Sequence, residues 1–184
     1  MNRSVPPYLE EMFSPTAIRD GIASVAADIA AWCRDVLAST GEQVLALCVL
    51  RGGVFFFSDL LQQIPATVEP AFCLCASYAK DENDRPNSRV EVELYGLAPA
   101  GRSVLLVDNI CDTARTLQAL TARCIEEGAA AVRSATLIRR IRDDALACPD
   151  WHVFAVQDPA WLAGYGLRDK GRLMNYPSVY RVAR

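Results

Sequence analysis

A short apolar run in the middle of the chain is followed by side chains that suit a phosphorylated ligand. The run covers residues 104–107 and leads through Asp108 to the turn 112–116, which has the sequence Asp-Thr-Ala-Arg-Thr. The hydroxyl groups of Thr113 and Thr116 are hydrogen-bond donors. Unpaired backbone N–H groups at the start of a helix, together with the helix dipole, favour phosphate there. An acid just before such a turn suits sugar hydroxyls or a hydrated Mg²⁺. The segment therefore predicts an anion site.

Alternating strands and helices are predicted to hold this site. The Val- and Leu-rich run 104–107 is typical of a strand that is buried on both faces of a parallel sheet. Strands that alternate with helices indicate parallel βαβ units, and open α/β sheets bind ligands at the carboxyl ends of their strands. We therefore expect an α/β fold with a doubly wound, mainly parallel sheet that is flanked by helices. The predicted helices cover 18–37, 55–63 and 116–127, and further strands cover 43–50, 71–78, 131–138 and 153–156.

Residues that start and stop helices agree with these boundaries. Ser14 followed by Pro15 suits a cap and a first helical turn. Gly128 suits the position just after a helix, where a left-handed conformation is common. The polar stretch 80–101 holds two prolines and interrupts the pattern. Because no internal repeat or low-complexity linker is present, a single domain is expected over 1–184.

The composition argues against several classes of protein. At 184 residues the chain has about the length of one domain, and 52% apolar residues suffice for a full core. The net charge of −3 argues against a nucleic-acid binder, which usually carries a basic surface. No membrane span is expected, because no run of about 18 uncharged apolar residues is present. The first residues also lack the apolar region of a signal peptide.

The seven cysteines predict a reduced, cytoplasmic protein. Most of them lie inside apolar runs, such as Cys48, or on helical patterns, such as Cys124. They are therefore interpreted as core residues and not as a disulfide framework. A zinc site is not expected, because the sequence has no Cys/His cluster and His152 is its only histidine.

The segment 104–117 resembles the phosphoribosyl pyrophosphate (PRPP) loop of type I phosphoribosyltransferases in residue order, spacing and strand–turn–helix context. The resemblance implies that Asp108 and Asn109 hold the ribose hydroxyls and, through them, Mg²⁺. It implies that Asp112 is the general base. It also places the 5-phosphate of PRPP on the turn formed by Asp112, Thr113, Ala114, Arg115 and Thr116.

A glycine turn after the strand at 43–50 resembles the first active-site loop of hypoxanthine-guanine phosphoribosyltransferases. It contains Arg51, Gly52 and Gly53 and is followed by an apolar helix. In that family, the backbone N–H groups of a basic-Gly-Gly turn bind pyrophosphate. Glycine allows the backbone conformations that a tight anion-binding turn needs. Arg51 and Gly52 are therefore expected to contact pyrophosphate.

A polar stretch near the middle of the chain resembles the mobile loop that closes over the reaction in the same subfamily. It consists of Ser77 and Tyr78 followed by residues 80–87. Such a lid would exclude water from a glycosyl transfer that hydrolysis would otherwise divert.

The resemblance continues into a base-binding region. Residues 137–140 match a strand end where the family has a lysine that contacts the exocyclic oxygen of the purine, which implies this role for Arg139. Trp161 falls where the family stacks an aromatic ring on the base. Ile110 and Leu162 are expected to complete the base pocket. The segment 139–184 is expected to form a small C-terminal hood that contributes the base site.

The resemblance covers most of the chain, from about residue 44 to 182, and implies a reaction. 5-Phosphoribose would pass from PRPP to a purine-like base of the hypoxanthine or guanine type, which releases pyrophosphate and forms a nucleoside 5′-monophosphate. Mg²⁺ is the expected cofactor, with Asp108, Asn109 and Asp169 as the residues near it. Purine salvage in the cytoplasm by a homo-oligomer, either a dimer or a tetramer, is the expected setting.

Four departures from the family pattern concern the acceptor base and the metal. Asn109 replaces the second acid of the PRPP loop, and Ala114 replaces a usual glycine. Arg139 replaces the base-contacting lysine, and a planar guanidinium is not interchangeable with an ammonium group. Arg168 occurs where the family has an aspartate, with Asp169 one residue later. These changes affect base choice and metal binding more than phosphate binding.

Other interpretations remain open from the sequence. Asp112 and Thr113 could simply cap a helix, residues 51–53 could form an ordinary glycine turn, and Trp161 could pack in the core. The chain could also be a non-catalytic regulator that binds PRPP or a nucleotide. A third alternative is a transferase for a different heterocycle, because Arg139 and Arg168 suit an acceptor with an additional oxygen or carboxylate.

Overall fold

The structure, a computed structural model, describes residues 5–77, 90–95 and 97–183. Within these ranges the chain forms nine strands and three α-helices. In chain order they are β1 (Leu9–Phe13), α1 (Pro15–Thr40), β2 (Val44–Leu50), α2 (Val54–Gln63), β3 (Val68–Ser77), β4 (Val90–Glu93), β5 (Ser103–Cys111), α3 (Arg115–Glu126), β6 (Ala131–Arg140), β7 (Trp151–Val156), β8 (Leu162–Ala163) and β9 (Val179–Val182).

Six strands form the central sheet in the order β4-β3-β2-β5-β6-β7. All neighbours are parallel except β4, which pairs antiparallel with β3 at one edge. Strands β2 and β5 lie next to each other in the middle, with Leu45 opposite Val104 and Cys48 opposite Val107. The chain continues from β2 to β3 on one side and from β5 to β6 on the other. Ligands of open α/β sheets bind at such a divergence.

Helices cover both faces of this sheet. On one face α1 and α2 bury apolar residues such as Ile22, Ile29 and Phe56 against the sheet. On the other face α3 buries Leu117 and Leu120. Parallel strands with helices on both faces confirm the predicted doubly wound α/β class, and the long apolar strand sequences follow from burial on both sides.

The predicted start of α1 and the predicted end of α3 are confirmed, whereas α1 ends at Thr40 and not at residue 37. The Ser14 hydroxyl oxygen accepts a hydrogen bond from the backbone N–H of Ala17 at 3.2 Å, and Pro15 begins α1. Gly128 lies just beyond α3 with φ +85°, in the left-handed region. A residue with a Cβ atom is disfavoured in this conformation, which explains glycine here.

Strand β5 is longer than the predicted 104–107 and ends only at Cys111. Its pairing with β6 continues through Ile110 opposite Ile138 and Cys111 opposite Arg139. The sequence suggested an earlier end because polar residues replace the apolar ones. In the structure the backbone ladder continues through those polar residues, so Asp108 is part of the strand.

A second sheet joins the two ends of the described chain. It has the order β1-β9-β8 and is antiparallel, with Leu9 opposite Val182 and Leu162 opposite Arg181. Of the segment 139–184, which was expected to form the hood, β7 belongs to the central sheet and β8 and β9 belong to the small sheet. The sequence pattern did not reveal that β1 joins this small sheet. Strands of two to five residues carry little periodicity, and their partners lie far away in sequence.

Part of the predicted lid lies outside the described residues. Ser77 ends β3, whereas Tyr78 and 80–87 are not among the described residues. The strand β4 lies within the stretch 80–101, for which no element was predicted. Across the described ranges, none of the helices has the length and apolar character needed to cross a membrane.

Candidate active site

A cleft of about 970 Å³ opens at the carboxyl ends of the central strands. It lies where the chain diverges between β2 and β5, as the fold class predicts. Most of the residues predicted from the sequence line it together: Arg51, Gly52, Asp108, Asn109, Ile110, Asp112, Thr113, Ala114, Arg115, Thr116, Trp161 and Leu162. Arg139 and Asp169 do not line it.

The turn before α3 has the geometry of an anion site. Ala114 occupies the N-cap position in a left-handed conformation, with φ 63° and ψ 5°. In the part of the chain that the structure describes, no side chain makes a capping hydrogen bond at the start of this helix, so the interpretation of Asp112 and Thr113 as helix caps is wrong. The left-handed conformation costs a residue with a Cβ atom about 1–2 kcal/mol. That cost is the physical consequence of having Ala114 where the family has glycine.

Two guanidinium groups flank the Asp112 carboxylate. Nη1 of Arg142 lies 3.1 Å from Asp112 Oδ1, and Nε of Arg140 lies 3.8 Å from the same oxygen. Arg142 is also paired with Asp144 through two hydrogen bonds of 2.7 and 2.9 Å. The Asp112 side chain remains 48% exposed and lines the cleft. A group in the cleft can therefore reach this carboxylate.

Asp108 is a half-buried residue that lines the cleft. Burial raises the pKa of Asp108 to about 7, although a hydrogen bond from the backbone N–H of Asn109, 2.7 Å long, acts in the opposite direction. Desolvation disfavours the charged carboxylate, and the single hydrogen bond does not fully offset it. A cation in the cleft would favour the ionised form.

Asn109 lies where three segments of the chain meet. A Cβ atom at Gly52 would be 2.5 Å from Nδ2 of Asn109, and a Cβ atom at Gly166 would overlap the carbonyl oxygen of Gly52. Gly166 has φ +89°, a backbone conformation that favours glycine, and the position also lacks room for a Cβ atom. The Asn109 side chain is buried between these glycines although it also lines the cleft. Its surroundings suggest a packing role besides the predicted contact with the sugar.

Arg139 lies away from the predicted base pocket, and the neighbouring Arg140 lines the cleft instead. In the sheet, Arg139 is opposite Cys111 of β5 and Ala155 of β7. Successive side chains of a strand point to opposite faces. The sequence shows two adjacent arginines but not the phase of the strand, so it could not tell which of them faces the ligand.

The three residues predicted to lie near Mg²⁺, Asp108, Asn109 and Asp169, do not come together in the structure. Asp169 forms a turn with Arg172 through two backbone hydrogen bonds of 2.8 and 3.2 Å and does not line the cleft. Among the described residues, no group of three or more His, Cys, Asp or Glu side chains could hold a metal ion. Mg²⁺ usually keeps several waters and uses one or two carboxylates plus substrate phosphates. Asp108, a carboxylate that lines the cleft, fits that kind of binding.

Trp161 is not a core residue. Its side chain is 48% exposed at the cleft, and its ring N–H donates a hydrogen bond to the backbone oxygen of Arg168 at 3.0 Å. The interpretation of Trp161 as core packing is therefore wrong. An accessible ring with a fixed orientation suits stacking on a planar ligand.

The described residues that line the cleft carry a positive net charge, whereas the whole chain carries a negative one. Among the described residues, five arginines line the cleft, against three aspartates and no other charged residue. The whole chain has a net charge of −3. Cationic walls attract anions by focusing the field into a cleft. The arginines are Arg51, Arg115, Arg140, Arg142 and Arg168, and the aspartates are Asp108, Asp112 and Asp158.

Together the fold and the cleft are those of a type I phosphoribosyltransferase, and the chain belongs to this family, since the family model described as "phosphoribosyl transferase domain" matches residues 16–170. Among individual proteins, the chain is similar to the hypoxanthine-guanine phosphoribosyltransferase of Canis lupus familiaris, with 32% identity over 151 residues. That match covers 73% of this chain and 66% of the canine protein.

Two further relatives cover more of the chain. The hypoxanthine-guanine-xanthine phosphoribosyltransferase of Tritrichomonas foetus is 27% identical over 170 residues, which cover 91% of this chain and 88% of that protein. The hypoxanthine phosphoribosyltransferase of Trypanosoma cruzi, solved in complex with the product IMP, superposes with a TM-score of 0.81 at 24% identity. The superposition covers 99% of this chain and 98% of that one.

Proposed function

We propose that this protein transfers 5-phosphoribose from PRPP to a ring nitrogen of a purine-type base and releases pyrophosphate, with Mg²⁺ bound. One observation carries the proposal. The uncapped start of α3, the Asp112 carboxylate and the half-exposed Trp161 ring line the same positively lined cleft. Phosphate donors, a proton acceptor and a stacking surface are the three parts that this reaction requires. The relatives named above are phosphoribosyltransferases of purine bases.

Each part of PRPP has a proposed location in the cleft. The 5-phosphate would bind at the start of α3, where Thr113 and Thr116 supply hydroxyl donors and Arg115 supplies charge. Pyrophosphate would bind at Arg51 and at the backbone of Gly52, on the loop after β2. The ribose hydroxyls would lie near Asp108 and Asn109 at the end of β5. The base would stack on Trp161, with Ile110 and Leu162 beside it.

The reaction breaks the bond between the ribose C1 and the pyrophosphate oxygen and forms a bond from C1 to the base nitrogen. Asp112 would accept the proton that this nitrogen loses. The leaving pyrophosphate gains negative charge, which Arg51 would stabilise. Asp108 would hold Mg²⁺, which would supply further positive charge beside the leaving pyrophosphate. The protein contributes mainly by positioning the reactants and stabilising charge.

A second candidate is a transferase for an acceptor with an additional oxygen or carboxylate. Arg168 is exposed and lines the cleft next to Trp161, and within the described ranges its side chain makes no hydrogen bond or ion pair, although its backbone oxygen accepts the bond from Trp161. Its guanidinium is therefore available to an anionic or oxygen-rich edge of a base. The relative from Tritrichomonas foetus is named for xanthine as well as hypoxanthine and guanine.

Pyrophosphate release from PRPP, measured with hypoxanthine, guanine, xanthine, adenine, uracil and orotate, tests the proposal. We expect turnover with at least one 6-oxopurine. We expect Arg168→Gln to lower turnover with xanthine relative to hypoxanthine by about tenfold, because a hydrogen bond to a charged group is lost. Arg123→Gln, on the exposed surface of α3, is the matched control and should leave the ratio unchanged.

The outcomes of these measurements distinguish the candidate functions. Equal losses for all bases in Arg168→Gln would exclude Arg168 from base selection. PRPP binding without pyrophosphate release for any acceptor would instead favour the non-catalytic regulator. The pairing of Asp112 with Arg142, which engages an oxygen of the proposed proton acceptor, is the observation that favours this alternative.

A further inference from the structure

Arg140 connects two parts of the cleft that come from different segments of the chain. It is the last residue of β6, and its side chain is only 10% exposed. Nη1 donates a hydrogen bond to the backbone oxygen of Asp158, and Nη2 donates one to the backbone oxygen of Ala160 at 2.6 Å. Nε faces Asp112 at 3.8 Å. One guanidinium therefore touches both the proposed proton acceptor and the residues just before Trp161.

The segment 158–161, here called the stacking loop, is held by a second arginine. The Asp158 carboxylate accepts a hydrogen bond from the backbone N–H of Ala160 at 2.8 Å and pairs with Nη2 of Arg181 at 2.5 Å. Arg181 belongs to β9 of the small sheet. The stacking loop is thus fixed to the central sheet through Arg140 and to the small sheet through Arg181.

The two arginines near Asp112 have different surroundings. Arg142 is 40% exposed and is anchored to Asp144, an exposed carboxylate. Arg140 is enclosed, and two of its nitrogens are bound by main-chain carbonyls that cannot move independently of Trp161. A displacement of Arg142 would leave the stacking loop in place. A displacement of Arg140 would release the loop from the central sheet and change the surroundings of Asp112 at the same time.

We propose that Arg140 is a positioning residue for the transfer reaction. It sets the separation between the stacking loop and Asp112, so that a base stacked on Trp161 presents its ring nitrogen to the Asp112 carboxylate. The planar guanidinium fork is required, because a lysine ammonium cannot bind two carbonyls and also face Asp112 in one fixed geometry. The inference rests on the proposed function, since it assigns Trp161 to the base and Asp112 to the proton.

Steady-state kinetics of Arg140→Lys and Arg140→Met form the first part of the test. We expect the ratio kcat/KM for the base to fall on the order of tenfold or more, because small misplacements of reacting groups have large effects on rate. KM for PRPP should change by less than about twofold, because its phosphate site lies on α3. Arg123→Met, on the exposed face of α3 and paired with Glu127, is the matched control and should behave as wild type.

A double-mutant cycle with Trp161→Ala separates positioning from general folding. If Arg140 acts through the stacking loop, Arg140→Lys should raise KM for the base by less than about twofold once the Trp161 ring is absent. An equal increase with and without the ring would overturn the inference, because Arg140 would then act independently of Trp161.

Fluorine NMR of protein labelled with 5-fluorotryptophan gives a readout that does not depend on turnover. Trp161→Phe identifies the signal of Trp161 among those of the three tryptophans. Arg140→Lys should shift or broaden the Trp161 signal and leave those of Trp32 and Trp151 in place. Unchanged signals together with unchanged base kinetics would refute the inference and leave the proposed function intact. A wild-type protein that is inactive with every base would refute the proposed function itself.

Discussion

Replacing Asp112 by asparagine is expected to lower turnover by roughly 100-fold or more and to leave PRPP affinity nearly unchanged, because general acid–base catalysis typically contributes about 10²–10⁴-fold. Asparagine keeps an oxygen that can accept a hydrogen bond from Arg142, which now lies 3.1 Å from the carboxylate. The substitution keeps the size of the side chain but removes its negative charge and its ability to take a proton. Turnover is measured by pyrophosphate release, and PRPP affinity by calorimetry.

Asp144→Asn is the matched control for this experiment. Asp144 is the second partner of Arg142 and does not line the cleft. The control tests whether changes in the position of Arg142, and not the loss of the base, slow the reaction. If Asp112→Asn keeps more than about a third of wild-type turnover, Asp112 is not the general base.

The protein with Asp108 replaced by asparagine is expected to be more stable than wild type at pH 8 and to bind Mg·PRPP more weakly. Burial raises the pKa of Asp108 to about 7, well above its value in an unfolded chain. Between about pH 4 and 7 the folded state therefore binds more protons than the unfolded state, and the free energy of unfolding contributed by this group falls as the pH rises. Asparagine does not titrate, so the substitution removes this contribution to the pH dependence of the free energy of unfolding.

Denaturant unfolding of both proteins at pH 5 and pH 8 measures this effect. We expect Asp108→Asn to exceed wild type by more than about 1 kcal/mol at pH 8, with a smaller difference at pH 5. Asp28→Asn, an exposed position on α1, is the control for removing a carboxylate. A pH-independent difference would show that Asp108 is not held in an environment that disfavours its charge. Stability gained together with weaker ligand binding is typical of functional residues.

The fold class was predictable because its signals are local and repeated. Apolar strands such as 43–50 and the helix caps at Ser14 and Gly128 carry their structure within a few residues. The small sheet was not predictable. Strand β1 pairs with β9 across most of the sequence, and strands this short show no clear alternation.

The candidate site was predictable where a contiguous motif carries it. The residues from Asp108 to Thr116 come together in the cleft because one strand and one turn place them there. Contributions from separate segments were not predictable. The sequence does not reveal which of Arg139 and Arg140 faces the cleft, because this depends on the phase of β6. The contact of Gly52 with Gly166, and the burial of Asn109 between them, depend on how the second sheet docks.

The most direct test of the account is calorimetric titration of the protein with PRPP and with a nucleoside 5′-monophosphate, each with and without Mg²⁺. The account predicts that both ligands bind and that Thr116→Val weakens both by roughly 10-fold or more, because a hydrogen bond to a charged phosphate is lost at the start of α3. Binding of neither ligand by the wild-type protein, with or without Mg²⁺, would contradict both the transferase and the regulator.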